Sequence, residues 1–502
     1  MELIFETKTA DYLREVFSSV IAQEESGESI VPDSHPDVGQ ILQTFGTVVL
    51  RGKECRNGSI HLSGGVQAGV VYEPEDHSAP RSLQAYLPFS VRMEHPAITE
   101  STEVHAVCRI RHIDAKVIHS RKILVRVSLC GGVTGYEPAQ QTFSLSPAEP
   151  VDLQLRSAVY PIVRPVEFAQ RQFPMAEEIE LPEGQAPMKE LCRSQVDLEL
   201  TESRLLGSKA IFKGNALVRL LYLTEDEELA TWSCQLPFSQ YVELQREYEE
   251  QEIQVDLALA ELHMEDTSGQ GRRLLADLQI LAQCTVVGQE QLEVLEDGYS
   301  LHHTFTPNWQ QVEAAGRLDR QTMQETVRTP VEVPVKSVID TQVCLGDPTV
   351  TWEDGQLVVT LPAVANILYC DPEEEIRGTT ARMEISCRTA GAEQCQWHPM
   401  ARLVGEAFAV PAGEGLEVRC TVEFTVDTVA RQTYQTLLGG QLSDERLNTA
   451  DRPSVILRPM GTGESLWSLA KACCSTPEAI REANDLTDGE TVQGMLLIPV
   501  MK

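Results

Sequence analysis

The chain has 502 residues, 42% of them hydrophobic and 23% charged, a soluble globular composition too long for a single core, so several domains are expected. Its formal net charge of −34, from 41 basic and 75 acidic residues, would repel a phosphate backbone or an anionic membrane wherever no basic patch intervenes, and the sequence has no such patch. An aromatic share of 6% argues against a stacking surface for single-stranded nucleic acid, and no stretch approaches the roughly 18 apolar residues of a membrane span.

The first segment, "MELIFETKTADYLREVF", lacks the basic start and apolar run of a secretory signal, so a cytoplasmic location is expected. The 13 cysteines, scattered from Cys55 to Cys474 and never spaced C-x-x-C, suit reduced and mostly buried thiols better than a disulfide framework or a zinc site.

A repeated unit then follows. "IVPDSHPDVGQIL", "ELPEGQAPMKELC" and "RTPVEVPVKSVID" share two prolines and an apolar face that reads as one turn of helix, and each leads to a tyrosine in "AGVVYEPED", "VRLLYLTED" or "ANILYCDPE". Pro32 to Tyr72 and Pro182 to Tyr222 each span 40 residues, and Pro330 to Tyr369 spans 39. "LPFS" recurs at 87–90 and 236–239, with "MEIS" at 383–386 in its place in the third copy. Each copy closes on an alternating strand: "ILVRVSL", "LLADLQI" and, most clearly, "LEVRCTVEF", where Leu416, Val418, Cys420, Val422 and Phe424 share one face. Short alternating strands between turn-like segments such as "EPEDHSAP" predict a mainly β protein of three tandem antiparallel modules, either sandwiches or open barrels, over 1–155, 156–298 and 299–440. Residues 441–452, within the Gly, Ser, Asp and Asn-rich stretch, read as a flexible linker.

The period then changes. "TGESLWSLAKACCSTPEAIREANDL" has helical spacing, with Ser465 placed to cap one helix, Thr476 and Pro477 to open a second and Asn484 to close it; "VILRPM" and "GMLLIPV" supply flanking strands. The result is a small βααβ unit over 453–500 with a core of Leu466, Leu469, Ile480, Leu496 and Ile498.

Nothing in the sequence marks a reaction centre. Residues 1–450 contain no H-E-x-x-H, G-x-S-x-G or P-loop pattern, and "GTGESL" lacks the lysine that would reach a phosphate. His105, Cys108, His112 and His119 look like metal ligands, but on one strand His105 points away from Cys108 and His112. Glu227 and Glu228 are adjacent on a turn instead of held across a cleft. The chain is therefore read as non-enzymatic, with no metal and no cofactor.

"GESLWSLAK", "AIREAND" and "QGMLLIP" resemble the LysM family, except that Arg458 stands where an aromatic is usual. The resemblance implies a shallow groove with Gly463, Glu464, Ser465 and Leu466 on one lip and Asn484, Asp485 and Leu486 on the other, although each of these also has an ordinary role as turn, cap or core. The repeats resemble the SPOCS domain of spore-coat assembly proteins, and three copies followed by LysM resemble the SipL-like family, more distantly the SpoVID one. That implies a mother-cell scaffold at the forespore surface, with a long acidic surface and a tethered LysM unit docking a coat-basement protein such as SpoIVA. The alternative is that the groove binds N-acetylglucosamine units of peptidoglycan or cortex. Exposed sheet edges leave self-association open.

Overall fold

A computed structural model describes residues 1–267, 269–393, 395–448, 452–461, 463–486 and 494–501, with only the course of the strands at 313–318 and 431–432. It is 76% strand and 3% helix. After β1 (Glu2–Leu3), the first copy has β2 (Phe5–Ile30), β3 (Val38–Arg56), β4 (Ser59–Pro74), β5 (Arg81–Glu94), β6 (Glu103–His119) and β7 (Lys122–Pro147). They form two antiparallel sheets, a β3-β4-β5 meander and β2-β7-β6, in which the first strand of the copy pairs with its last. One apolar core drawn from both sheets, including Ile60, Leu62, Val66, Ala106, Val125 and Val127, lies between them, so the module is a sandwich.

The second copy repeats this plan with β8 (Gln154–Glu180), β9 (Met188–Thr224), β10 (Leu229–Tyr248), β11 (Glu252–Asp266) and β12 (Arg273–Tyr299), where β8-β12-β11 is the first-last-penultimate sheet. Strand β9 covers the positions of both β3 and β4; it turns at Gly207, whose φ is +57°, and ion pairs join Glu202 to Lys213 and Asp197 to Arg219 across the bend. The third copy has β13 (His303–Val331), β14 (Ser337–Leu345), β15 (Thr349–Glu353), β16 (Gln356–Cys370), β17 (Ile376–Thr389), β18 (Gln396–Leu403), β19 (Phe408–Ala412) and β20 (Gly415–Arg446); here β18 and β19 share the penultimate position against β20.

The three copies agree residue by residue. Tyr72, Tyr222 and Tyr369 lie at the ends of β4, β9 and β16 and are 0%, 0% and 6% exposed. Five residues on, His77, Glu227 and Glu374 adopt φ of +54°, +66° and +68°, and each amide donates to a carbonyl three residues back, at 3.0, 3.0 and 3.1 Å. The same left-handed turn thus follows each tyrosine. The phenylalanines of "LPFS", Phe89 and Phe238, pair across the sheet with Gly64 and Gly214, where a Cβ would run into the ring. In the third copy the facing pair is Leu361 and Ile385, a compensating exchange of side-chain volume that accounts for its divergence there.

Two sequence expectations need correction. The proline segments before β3 and β9 are tight turns, closed by His35 N–H to the Pro32 carbonyl and Gln185 N–H to the Pro182 carbonyl at 2.9 Å each, and lead into strand instead of helix. Residues 441–446 of the expected linker are the end of β20, paired with β1 and β13, because Leu442 is buried in an apolar cluster with Leu3, Phe5 and Leu437; residues 449–451 lie outside the described residues.

Nor do the modules follow one another as beads that expose one long surface. The first and last strands of every copy run past the sandwich as two-stranded ribbons, and the ribbons share a core of Ala10, Phe143, Ile162, Leu292, Val294 and Val312. At the far ends of the meanders a second shared cluster joins Leu42, Val71, Cys192, Leu221 and Leu368 with Ile339. These two clusters hold the copies around one pseudo-threefold axis. Polar contacts add to them: Lys53 Nζ, which also donates to the Val104 carbonyl of its own copy at 2.6 Å, donates to Gln283 Oε1 at 2.5 Å between copies one and two, and Arg111 pairs with Asp347 at 2.7 Å between copies one and three.

Candidate functional site

The C-terminal unit has the expected order: β21 (Val455–Pro459), α1 (Leu466–Cys473), α2 (Pro477–Ala483) and β22 (Met495–Pro499), with β21 antiparallel to β22. Ser465 caps α1, accepting the Ser468 amide at 3.1 Å while its own amide donates to Ser468 Oγ at 3.0 Å. Thr476 caps α2 in the same way through Ala479, with Pro477 in the first turn where its missing amide costs nothing. Leu469, Ile480, Leu496 and Ile498 are buried and Leu466 packs half-buried against them.

Both expected lips border this core, but their residues are not alike. Gly463 is exposed at φ +83°. Glu464 is held by Arg458, whose Nη2 donates to its two carboxylate oxygens at 2.6 and 2.5 Å, and by the Gly461 amide at 2.8 Å; these hydrogen bonds hold its carboxyl below the usual range. Arg458, in the place of the usual aromatic, is thereby tied to the lip. Asn484 joins α2 to β22: its Nδ2 donates to the carbonyls of Ile480 and Leu497 at 2.7 and 2.6 Å, and its Oδ1 accepts the Leu497 amide at 2.8 Å. All of that amide's bonding is structural. The left-handed residue beyond α2 is Asp485, at φ +51°, and not Asn484, at φ −122°. Asp485 is exposed and Leu486 half-buried in the core; Gln493 of the "QGMLLIP" motif lies outside the described residues.

Sequence reasoning missed how the unit sits. It packs on the end of the second copy, where Tyr299 and Leu301 join its core. Trp467 Nε1 donates to Asp297 Oδ2 at 2.8 Å, Lys471 Nζ reaches both oxygens of Asp297 at 2.7 and 2.9 Å, and the Tyr299 hydroxyl donates to the Ser475 carbonyl at 2.7 Å. Tyr299 meets the Trp467 ring edge to face at 4.9 Å, and the Arg156 guanidinium lies 5.7 Å from that ring. Burial alone would raise the Asp297 pKa, but the hydrogen bonds from Lys471 and Trp467 outweigh it and hold the carboxyl low. One of two adjacent acids in "LEDGYS" carries no periodic signal, so nothing local could have marked Asp297. The contact uses one side of α1 and leaves Gly463 and Asp485 exposed.

The histidines considered as ligands are dispersed. His105 Nε2 contacts Asp256 Oδ2 of the second copy at 3.0 Å, Cys108 is a half-buried thiol pushed up to about 12 by desolvation, and His119 is exposed. Asp371, Glu373 and Glu375 stand close together because Asp371 Oδ1 accepts the amides of Glu373 and Glu375 at 2.9 Å each, which closes the turn after Tyr369.

Residues 37–118 and 187–265 match the family model described as SipL, SPOCS domain. The two matches begin 35 residues before Tyr72 and Tyr222 and run from the first meander strand through β6 and β11, so they fall on equivalent parts of copies one and two. No curated protein and no solved structure matches the chain. Among the described residues no helix is long and apolar enough to cross a membrane.

Proposed function

We propose, for a chain that carries SPOCS domains of the SipL kind and with them a role connected with the spore coat, a non-enzymatic scaffold that organises coat layers at the forespore surface of the mother cell. In this reading the three β copies form one rigid body and the βααβ unit acts as a LysM domain that docks a coat-basement protein such as SpoIVA. The observation that carries it is the placement of the unit: α1 is anchored to the body through Asp297 and Tyr299, while the Gly463 and Asp485 lips stay exposed. A head fixed on a rigid body presents one defined face, which lowers the ordering cost of binding.

The test is retention of the full chain by immobilised SpoIVA-like protein and by purified peptidoglycan. Capture by the protein, weakened about tenfold by Glu464→Ala with Asp485→Ala, is expected, since two lost charged contacts at a rim, at roughly 0.7 kcal/mol each, amount to roughly 1.4 kcal/mol. Retention on peptidoglycan with no capture by the protein would instead support the sugar-binding reading.

A further inference from the structure

The junction of the three meanders holds a polar group that no feature of a generic sandwich explains. Leu42, Cys192 and Ile339 each stand 30 residues before the repeat tyrosine and share an apolar layer. The following position is polar in every copy and different in each: Gln43, Arg193 and Asp340. Their side chains meet at the axis. Arg193 Nη1 donates to Asp340 Oδ2 at 2.6 Å and to Gln43 Oε1 at 3.1 Å, Arg193 Nη2 donates to Asp340 Oδ1 at 2.8 Å, and Gln43 Nε2 donates to Asp340 Oδ2 at 2.7 Å. Gln43 and Arg193 are 3% and 2% exposed, and the Asp340 side chain 10%. Two residues further along, again at one equivalent position, the Phe45 ring lies 6.0 Å from the Arg193 guanidinium and Gln342 Nε2 donates to Gln195 Oε1 at 3.0 Å.

A ring of three related modules that used one repeat twice would place two like groups here. Two arginines or two aspartates would repel at a site this enclosed, and two copies of the first repeat would leave one charge without its opposite. One cation, one anion and one amide that both donates and accepts pair with each other as a set, in which Arg193 Nε alone has no partner. A buried ion pair is commonly no more stabilising than apolar residues of the same volume, and its best-attested use is to fix which partners and register associate.

We propose that Gln43, Arg193 and Asp340 form an address code between repeats: each recognises the other two, so that the modules close into a ring containing one of each kind, and rings that take the same repeat twice from a second copy of the chain are excluded. The axial surface of each module is thus an interaction site whose partners are the two unlike modules.

The test uses full-length chains refolded from denaturant at rising concentration, with mass read by light scattering. The wild type is expected to return one mass throughout. Gln43→Leu/Arg193→Met/Asp340→Leu is expected to fold, yet to return a mixture of masses that broadens with concentration. Arg193→Gln, which removes the cation hydrogen-bonded to Asp340 and leaves only the more distant charge of Arg219, is expected to lower the unfolding midpoint by about 5–15 °C and to scatter in mass. Moving the cation to the first repeat in Gln43→Arg/Arg193→Gln is expected to restore the single mass. The rescue arm decides the matter if the apolar variant does not fold. A wild type as mixed as the apolar variant, an apolar variant with a single mass, or a double variant no better than Arg193→Gln overturns the proposal.

Discussion

Replacing Asp297 by alanine should loosen the C-terminal unit from the body without unfolding either. The carboxylate is 16% exposed and accepts the Trp467 indole N–H at 2.8 Å and the Lys471 ammonium at 2.7 Å. A hydrogen bond to a charged acceptor at a site this enclosed contributes about 1.5–3 kcal/mol. Because the Lys471 side chain is 43% exposed, its ion pair adds only about 0–1 kcal/mol. Allowing for incomplete additivity, the loss is about 2–3 kcal/mol, which raises the undocked population about 30- to 150-fold. Docking survives as the major state, since Tyr299, Leu301 and the Ser475 hydrogen bond remain. The assay is solvent exchange of indole N–H groups in protein labelled with ¹⁵N-tryptophan, where five signals are expected from five tryptophans. Exchange at Trp467 should accelerate by the same 30- to 150-fold factor, and the exposed control Asp277→Ala should leave it unchanged. Exchange at Trp467 within twofold of wild type would refute the latch.

Three further outcomes follow from the same contacts. Lys53 is half-buried between the first two copies without a carboxylate, and desolvation lowers its pKa from 10.5 to about 7. The unfolded chain therefore binds the proton more tightly, so between pH 10.5 and about 7 stability falls as pH falls, and below about 7 the cost is constant. Lys53→Met should remove that slope and gain about 1–3 kcal/mol at pH 7, measured as the difference in denaturant midpoints across the window. Gly214→Ala should destabilise the second copy by about 1–3 kcal/mol, since the added methyl meets the Phe238 ring and the Glu199 carbonyl, and an unchanged midpoint in urea would contradict the glycine's packing role. Tyr72→Phe, which removes the 3.0 Å hydrogen bond to the Pro36 carbonyl, should cost about 0.5–1.5 kcal/mol by the same measurement.

The repeat, the alternating strands and the capped helices were legible in the chain because each is written within a short window. A left-handed turn five residues after Tyr72, Tyr222 and Tyr369, a period of two in "LEVRCTVEF", and Ser465 or Thr476 before a helix depend on near neighbours alone. The residues expected at the lips stand on the segments before α1 and after α2, where Asn484 is a structural tie, because its partner Leu497 belongs to the opposite strand and only folding brings the two together. Distance along the chain also hid the arrangement of the modules. Gln43, Arg193 and Asp340 lie 147 or more residues apart, and a single polar residue in an apolar strand looks like any solvent-facing position until a second and third are seen across from it. Local propensity fixed the strands and helices; which faces became dry, and therefore which polar groups had to find one another, was decided by the closure of three sandwiches on a common axis.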